Sequence, residues 1–149
     1  MENKHWIIRV DDGINFYNSK YPFWGVKRGK NNCMKTIVKK IKCGDILWFI
    51  TNKKHGSKII GMCEYINFYD RQDEPLIKIN TLTNEDQGWI GEDNWDLQLH
   101  YTNKYKLDKL NIIVCIQCGA CILEYETFKD KIKDNLYDHY KNIKFYSGI

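Results

Sequence analysis

Along the chain, apolar positions recur at strand spacing, then at helix spacing, then at strand spacing again. The segment "HWIIRV" (His5 to Val10) carries strand-forming residues and stops at Asp11-Asp12-Gly13, a turn signal. An aromatic-rich loop follows, through Pro22 and Trp24. In "NNCMKTIVKKIKCGD", Met34, Ile37, Val38 and Ile41 share one face at 3.6-residue spacing, which predicts a helix. Asn31 or Asn32 is placed to cap its start and Gly44 to end it, with Lys35, Lys39, Lys40 and Lys42 on its outer side. "DILWFIT" and "KIIGMCEYINFY" read as a strand pair joined by the turn-like "NKKHGS".

Pro75 introduces a further strand, "LIKINTL", and "TNEDQGWIGEDNWD" is polar and turn-rich apart from its two tryptophans. "LQLHYTNKYKL" alternates as a strand does. "NIIVCIQCGACILEYE" gives either one long strand or a hairpin turning at Cys118-Gly119. The segment "ETFKDKIKDNLYDHYKNI" is amphipathic, with Phe128, Ile132, Leu136 and Tyr140 at i, i+4 spacing. Strands in close succession, with one helix between them and one after, predict an α+β fold. The expected architecture is a small, mainly antiparallel β-barrel flanked by α-helices, formed by residues 1–149 as one domain.

Composition sharpens this picture without changing it. A chain of 149 residues, 43% hydrophobic, is long enough to bury a core, and 14% of it is aromatic. A domain of this size encloses only a few large rings, so some aromatics are expected to serve a surface or a pocket. The net charge of +4 permits a polyanionic partner without demanding one. The start is charged from residue 2, and no apolar run approaches the roughly 20 residues of a membrane span. The expectation is a soluble intracellular protein, cytoplasmic or nuclear, whose six cysteines are reduced.

Cys115, Cys118 and Cys121 have two residues between each pair, a spacing that suits zinc or an iron–sulfur cluster. Their surroundings, "IIVCIQCGACILEY", are apolar and strand-like, which favours buried structural thiols over a metal knuckle. We therefore expect no metal and no cofactor. No nucleophile elbow, Walker loop, dinucleotide fingerprint or zincin helix is present, and His5, His55, His100 and His139 are scattered. The acidic pairs Asp11-Asp12 and Glu92-Asp93 read as turn residues, and the expectation is a protein that is not an enzyme.

The tryptophans divide in two. Trp6 and Trp48 lie inside apolar strands and read as core. Trp24, Trp89 and Trp95 lie in polar, glycine-containing segments, where an indole either caps the end of a barrel or lines a pocket. Indole faces lining a pocket suit a flat base carrying a methyl group. Lys27, Arg28 and Lys30, which follow Trp24, suit phosphate.

The order of these segments resembles the EVE and YTH branches of the PUA-like superfamily, over roughly residues 5 to 110. "HWIIRVDDGINFYNSKYPFWGV", a helix, "KCGDILWF" and "IIGMCEYINFYD" are similar to the EVE pattern; "GWIGEDNW" is similar to the YTH loop. The resemblance implies an aromatic cage from Trp24, Trp95 and Trp89. It implies edge contacts to the base from Asp11 and Asn15, and Arg9 as the basic residue after the first strand. Val10 departs from the serine common in YTH domains, and Gly25 agrees with EVE domains instead. Gly25 would let the backbone approach the base. The expected function is non-catalytic binding of RNA or DNA carrying a modified base, in a pocket of Trp24, Gly25, Trp89, Trp95, Asp11 and Asn15. Arg9, Lys27, Arg28 and Lys30 would hold phosphate. The alternatives are a protein–protein adaptor using loop aromatics and a cysteine-based metal domain.

Overall fold

The unbroken apolar run Ile46–Ile50 forms strand β3 and is buried on both faces, as an interior strand must be. Successive side chains point to opposite sides. Leu47 and Phe49 therefore enter one core cluster, while Ile46, Trp48 and Ile50 enter another. On one flank β3 pairs in parallel with β1 (His5–Arg9), and on the other antiparallel with β4 (Lys58–Asp70). Among the described residues the remaining strands are β2 (Phe23–Val26), β5 (Leu97–Asn111) and β6 (Ile122–Glu124). The sheet order among the described residues is β2-β5-β4-β3-β1-β6, and of its pairings only β1–β3 is parallel. The computed structural model describes residues 3–72, 82–92, 95–111, 122–132 and 135–147. The expected strand at 76–82, apart from Leu82, and the expected hairpin with Cys115, Cys118 and Cys121 lie outside these residues.

The fold is thus mixed α+β with a mostly antiparallel sheet, as the patterning predicts. Among the described residues the sheet is open, with β2 and β6 at its edges, and these strands do not close a barrel. It is strongly curled all the same. Register shifts along β4 bend the long β4–β5 ladder, and Val26 of one edge strand shares a core cluster with Ile122 of the other. Gly61, beside one of these shifts, leaves room for a packed ring: a side chain there would run into Phe16, which stacks on Phe49 at 4.3 Å.

Among the described residues, five α-helices decorate the sheet. α1 (Ile14–Asn18) follows β1 and buries Phe16, and α2 (Cys33–Val38) buries Met34 and Val38 in the concave core. α2 ends six residues before Gly44, earlier than its apolar pattern predicts, because Asp45 competes for the chain. The Asp45 carboxylate accepts from the backbone N–H groups of Lys42 and Lys4 and from the Trp6 indole. α3 (Asn84–Gln87) begins at a capping box between Thr83 and Asp86. α4 (Tyr125–Phe128) and α5 (Leu136–Ser147) supply Tyr125, Leu136 and neighbouring rings to the convex cluster around Trp48. The predicted continuous helix is broken here: Asn135 accepts from the N–H groups of Tyr137 and Asp138 and restarts it. Among the described residues no helix is long and apolar enough to cross a membrane.

Candidate functional site

At the end of β1 the chain turns sharply, and the turn is fastened to the connection between β3 and β4. Asp11 has a φ of 53°, a left-handed conformation that aspartate tolerates better than most residues, and Gly13 follows at 91°. The Val10 N–H bonds the Ile50 carbonyl at 2.9 Å, and the Asn52 N–H bonds the Asp11 carbonyl at 2.8 Å. The Asn52 amide also donates to the Asp11 carboxylate at 3.2 Å. Asp12 accepts the Ile14 N–H and leads the chain into α1.

This turn is one wall of a cavity of about 1090 Å³, large enough for a nucleoside-sized ligand. Arg9, Val10, Asp11, Asp12, Ile14 and Asn15 line that side, with Asn52 beside them. Trp24, Gly25 and Val26 of β2, then Lys27 and Gly29, line another. Cys33, Met34 and Ile37 of α2 and the isolated Ile90 complete it. The lining is largely apolar, with two cations and two carboxylates at the turn and at the end of β2.

Of the ten residues expected to form the site, Arg9, Asp11, Asn15, Trp24, Gly25 and Lys27 share this cavity. Trp24 does not stand on a loop as its sequence context suggests: it is the second residue of β2, opposite Leu99. Its half-buried indole meets Trp89 edge-on at 5.1 Å and Phe49 at 6.4 Å.

Trp89 and Trp95 sit behind the cavity and are not among its lining residues. With Phe23 they form a separate buried cluster. The Trp89 indole donates to the Ser19 hydroxyl at 2.7 Å, and the Trp95 indole donates to Asn84 at 2.6 Å. The Arg71 guanidinium covers the Trp95 ring at 3.8 Å. Gly25 is occupied from behind by the Trp95 ring, so its missing side chain first serves packing.

The polar residues are also partly committed. Asn15 forms a pair of bonds with the Ile90 backbone, donating to its carbonyl at 3.0 Å and accepting its N–H at 2.8 Å. That leaves one amide hydrogen and one oxygen lone pair of Asn15 for a ligand. Arg28 and Lys35 both bond the Asp70 carboxylate, at 2.6 and 2.8 Å. Burial pushes the Asp70 carboxyl up, but the bonds from Arg28, Lys35 and the Gln72 N–H outweigh it and hold the group well below the usual carboxylate range. Lys30 is exposed and outside the lining.

Sequence reasoning did not anticipate Asp12, Ile14, Gly29, Cys33, Ile37, Asn52 or Ile90 as site residues. The available signal was the pair of isoleucines set in polar sequence, and both are exposed: Ile14 at 46% and Ile90 at 71%. Among the described residues no group of three or more His, Cys, Asp or Glu side chains is arranged to hold a metal.

No known family's sequence pattern matches the chain, and no curated protein matches it. Solved structures do. The crystal structure of ASCH from Zymomonas mobilis has a TM-score of 0.53 at 8% identity, covering 87% of this chain and 94% of that one. The crystal structure of a tyrosine-to-phenylalanine mutant of ZmASCH from the same organism has a TM-score of 0.53 at 7% identity, covering 88% of this chain and all of that one. The fold is ASCH-like. At 7–8% identity this likeness is one of fold alone. In this ASCH-like fold the cavity lies where the first strand's turn, edge strand β2 and helix α2 converge.

Proposed function

We propose that the chain is a non-catalytic nucleic-acid-binding protein that lodges a single base in this cleft, against the Trp24 indole. A base stacked on an aromatic ring gains about 1–3 kcal/mol. Arg9 and Lys27 supply positive charge for the adjoining phosphates, and Asp11 with the spare amide valences of Asn15 addresses the base edge. The reading extends to a modified, methylated base in the manner implied by the EVE and YTH resemblance. Met34, Ile37, Ile14 and Ile90 offer apolar surface for a methyl group. Trp89 and Trp95 would act from behind, holding Trp24 and Gly25 in place. RNA is the favoured ligand, in keeping with the ASCH-like fold, and no cofactor takes part. The observation that carries this reading is the convergence of Arg9, Asp11, Asn15, Trp24, Gly25 and Lys27 on one cavity.

Binding measured against oligonucleotides with unmodified and methylated adenine or cytosine tests it. Trp24→Ala should weaken binding at least tenfold, and Trp24→Phe should retain part of the affinity. A folded Trp24→Ala protein with unchanged affinity and selectivity would falsify the pocket assignment.

A second reading, docking of another protein, draws support from the exposed Ile14, Tyr21 and Ile90. Salt separates the two, since phosphate binding weakens steeply with ionic strength and an apolar contact hardly responds.

A further inference from the structure

The connection between β3 and β4, which by sequence is only a turn, stands at the cleft. Asn52 lines the cavity, and the next three residues, Lys53, Lys54 and His55, form one 3₁₀ turn, all exposed. The turn is held in shape. The Thr51 hydroxyl donates to the His55 carbonyl at 3.2 Å and accepts the Lys58 N–H at 2.9 Å, and Gly56 closes the turn at a φ of 98°. It is fastened to the cleft wall through the two bonds from Asn52 to Asp11. Lys54 Nζ lies 3.9 Å and His55 Nε2 3.6 Å from the Asp11 carboxylate, which places both side chains at the cleft's rim.

The cations expected to hold phosphate on the other side are differently engaged. Arg28 is bound to Asp70, and Lys30 lies outside the lining. The cleft lining and the turn beside it therefore carry Arg9, Lys27, Lys53 and Lys54 against Asp11 and Asp12. The surplus is positive and is supplied by the turn.

We propose that Lys53 and Lys54 form a phosphate-binding edge of the cleft, distinct from the Lys27 edge, so that the sugar–phosphate chain of a bound nucleic acid passes over both while one base enters. This rests on the reading of the cleft as a nucleic-acid site. Each phosphate neutralised on a single strand steepens the fall of log affinity with log salt by about 0.7.

The test is the salt dependence of binding to an unmodified single-stranded RNA 12-mer of uridines, for the full chain and for Lys53→Ala/Lys54→Ala. We expect the slope to flatten by about 1.4, one phosphate for each lysine, and affinity at low salt to fall about tenfold. Lys53→Arg/Lys54→Arg should restore both. Lys39→Ala/Lys40→Ala, which removes the same charge from exposed residues outside the cleft lining, should leave the slope near wild type. A wild-type slope in the Lys53/Lys54 variant, or an equal loss in the Lys39/Lys40 variant, overturns the inference while leaving the cleft reading standing. Failure of the wild-type chain to bind any of the oligonucleotides overturns the cleft reading and this inference with it.

Discussion

A Cβ atom added to Gly25 would stand 2.6 Å from two atoms of the Trp95 ring, closer than packed atoms approach. The two residues fit as a ring against a bare backbone, and that fit fixes how β2 lies over the loop preceding β5. Gly25→Ala should therefore destabilise the protein by about 1–3 kcal/mol through overpacking. Trp95→Leu should relieve part of that cost, so the double variant should be more stable than the sum of the single effects predicts. Chemical denaturation of the four proteins of this cycle measures it, and strict additivity would contradict the contact.

Asp70 joins the end of β4 to Arg28 and to Lys35 of α2. Asp70→Asn leaves two cations facing each other, 20% and 25% exposed, and should cost about 2–3 kcal/mol. The carboxyl titrates below the usual range in the folded protein, so its contribution is complete above the usual carboxylate pKa and is lost only as pH falls through the lower folded value. Acid titrations of stability should show the wild-type and Asn curves converging in strong acid and parallel near neutrality.

Beneath α5, His5 accepts the Trp48 indole N–H at 2.9 Å and lies 4.2 Å from the Tyr137 ring. Burial lowers its pKa to about 4, against the opposing pull of Asp45 and Glu126. The unfolded chain takes up this proton near pH 6.5, so stability should decline as pH falls from about 6.5 to about 4 and then level off with respect to this group. The loss is on the order of 2–3 kcal/mol. His5→Phe should be less stable than wild type at neutral pH and show a flatter profile across that window. Denaturant midpoints at four or five pH values decide it.

Asn15 holds the Ile90 backbone by two hydrogen bonds across 75 residues of sequence. Asn15→Ala should lower global stability by only about 1 kcal/mol, since both bonds are exposed. Its local effect should be larger: the Ile90 amide should lose most of its protection in hydrogen exchange while amides of β3 and β4 keep theirs.

Much of the fold was legible because the pattern and the burial agree. "DILWFIT" and "KIIGMCEYINFY" read as a strand pair and form one, as Ile46–Ile50 and Lys58–Asp70, and Trp6 and Trp48 read as core and are buried. Strand β2 was illegible, since its four residues follow Pro22 and contain Gly25, and its pairing partner lies far downstream in β5. The break between α4 and α5 was hidden because the i, i+4 apolar spacing continues through it, with Ile132 and Leu136 both buried.

The site was legible in part for a related reason. Residues near the first strand and before the first long apolar helix pattern were found by their order in the chain. The contributions of Asn52, Ile90 and the Lys53–Lys54 turn depend on which loops the sheet brings together, and that is set by tertiary pairing. The seclusion of Trp89 and Trp95 has the same origin. Ser19, Asn84 and Arg71, each from a different segment, hold the two indoles.

The strand pairing also constrains when the molecule can assemble. β1 lies between β3 and β6, so it receives its second neighbour only once β6, far downstream in the sequence, has been made. Until then Trp6, Ile7 and Ile8 border an unpaired edge, the kind of surface that recruits foreign strands. Such long-range closure predicts slow folding for a domain of this size, and a nascent chain halted before residue 122 should be prone to aggregation.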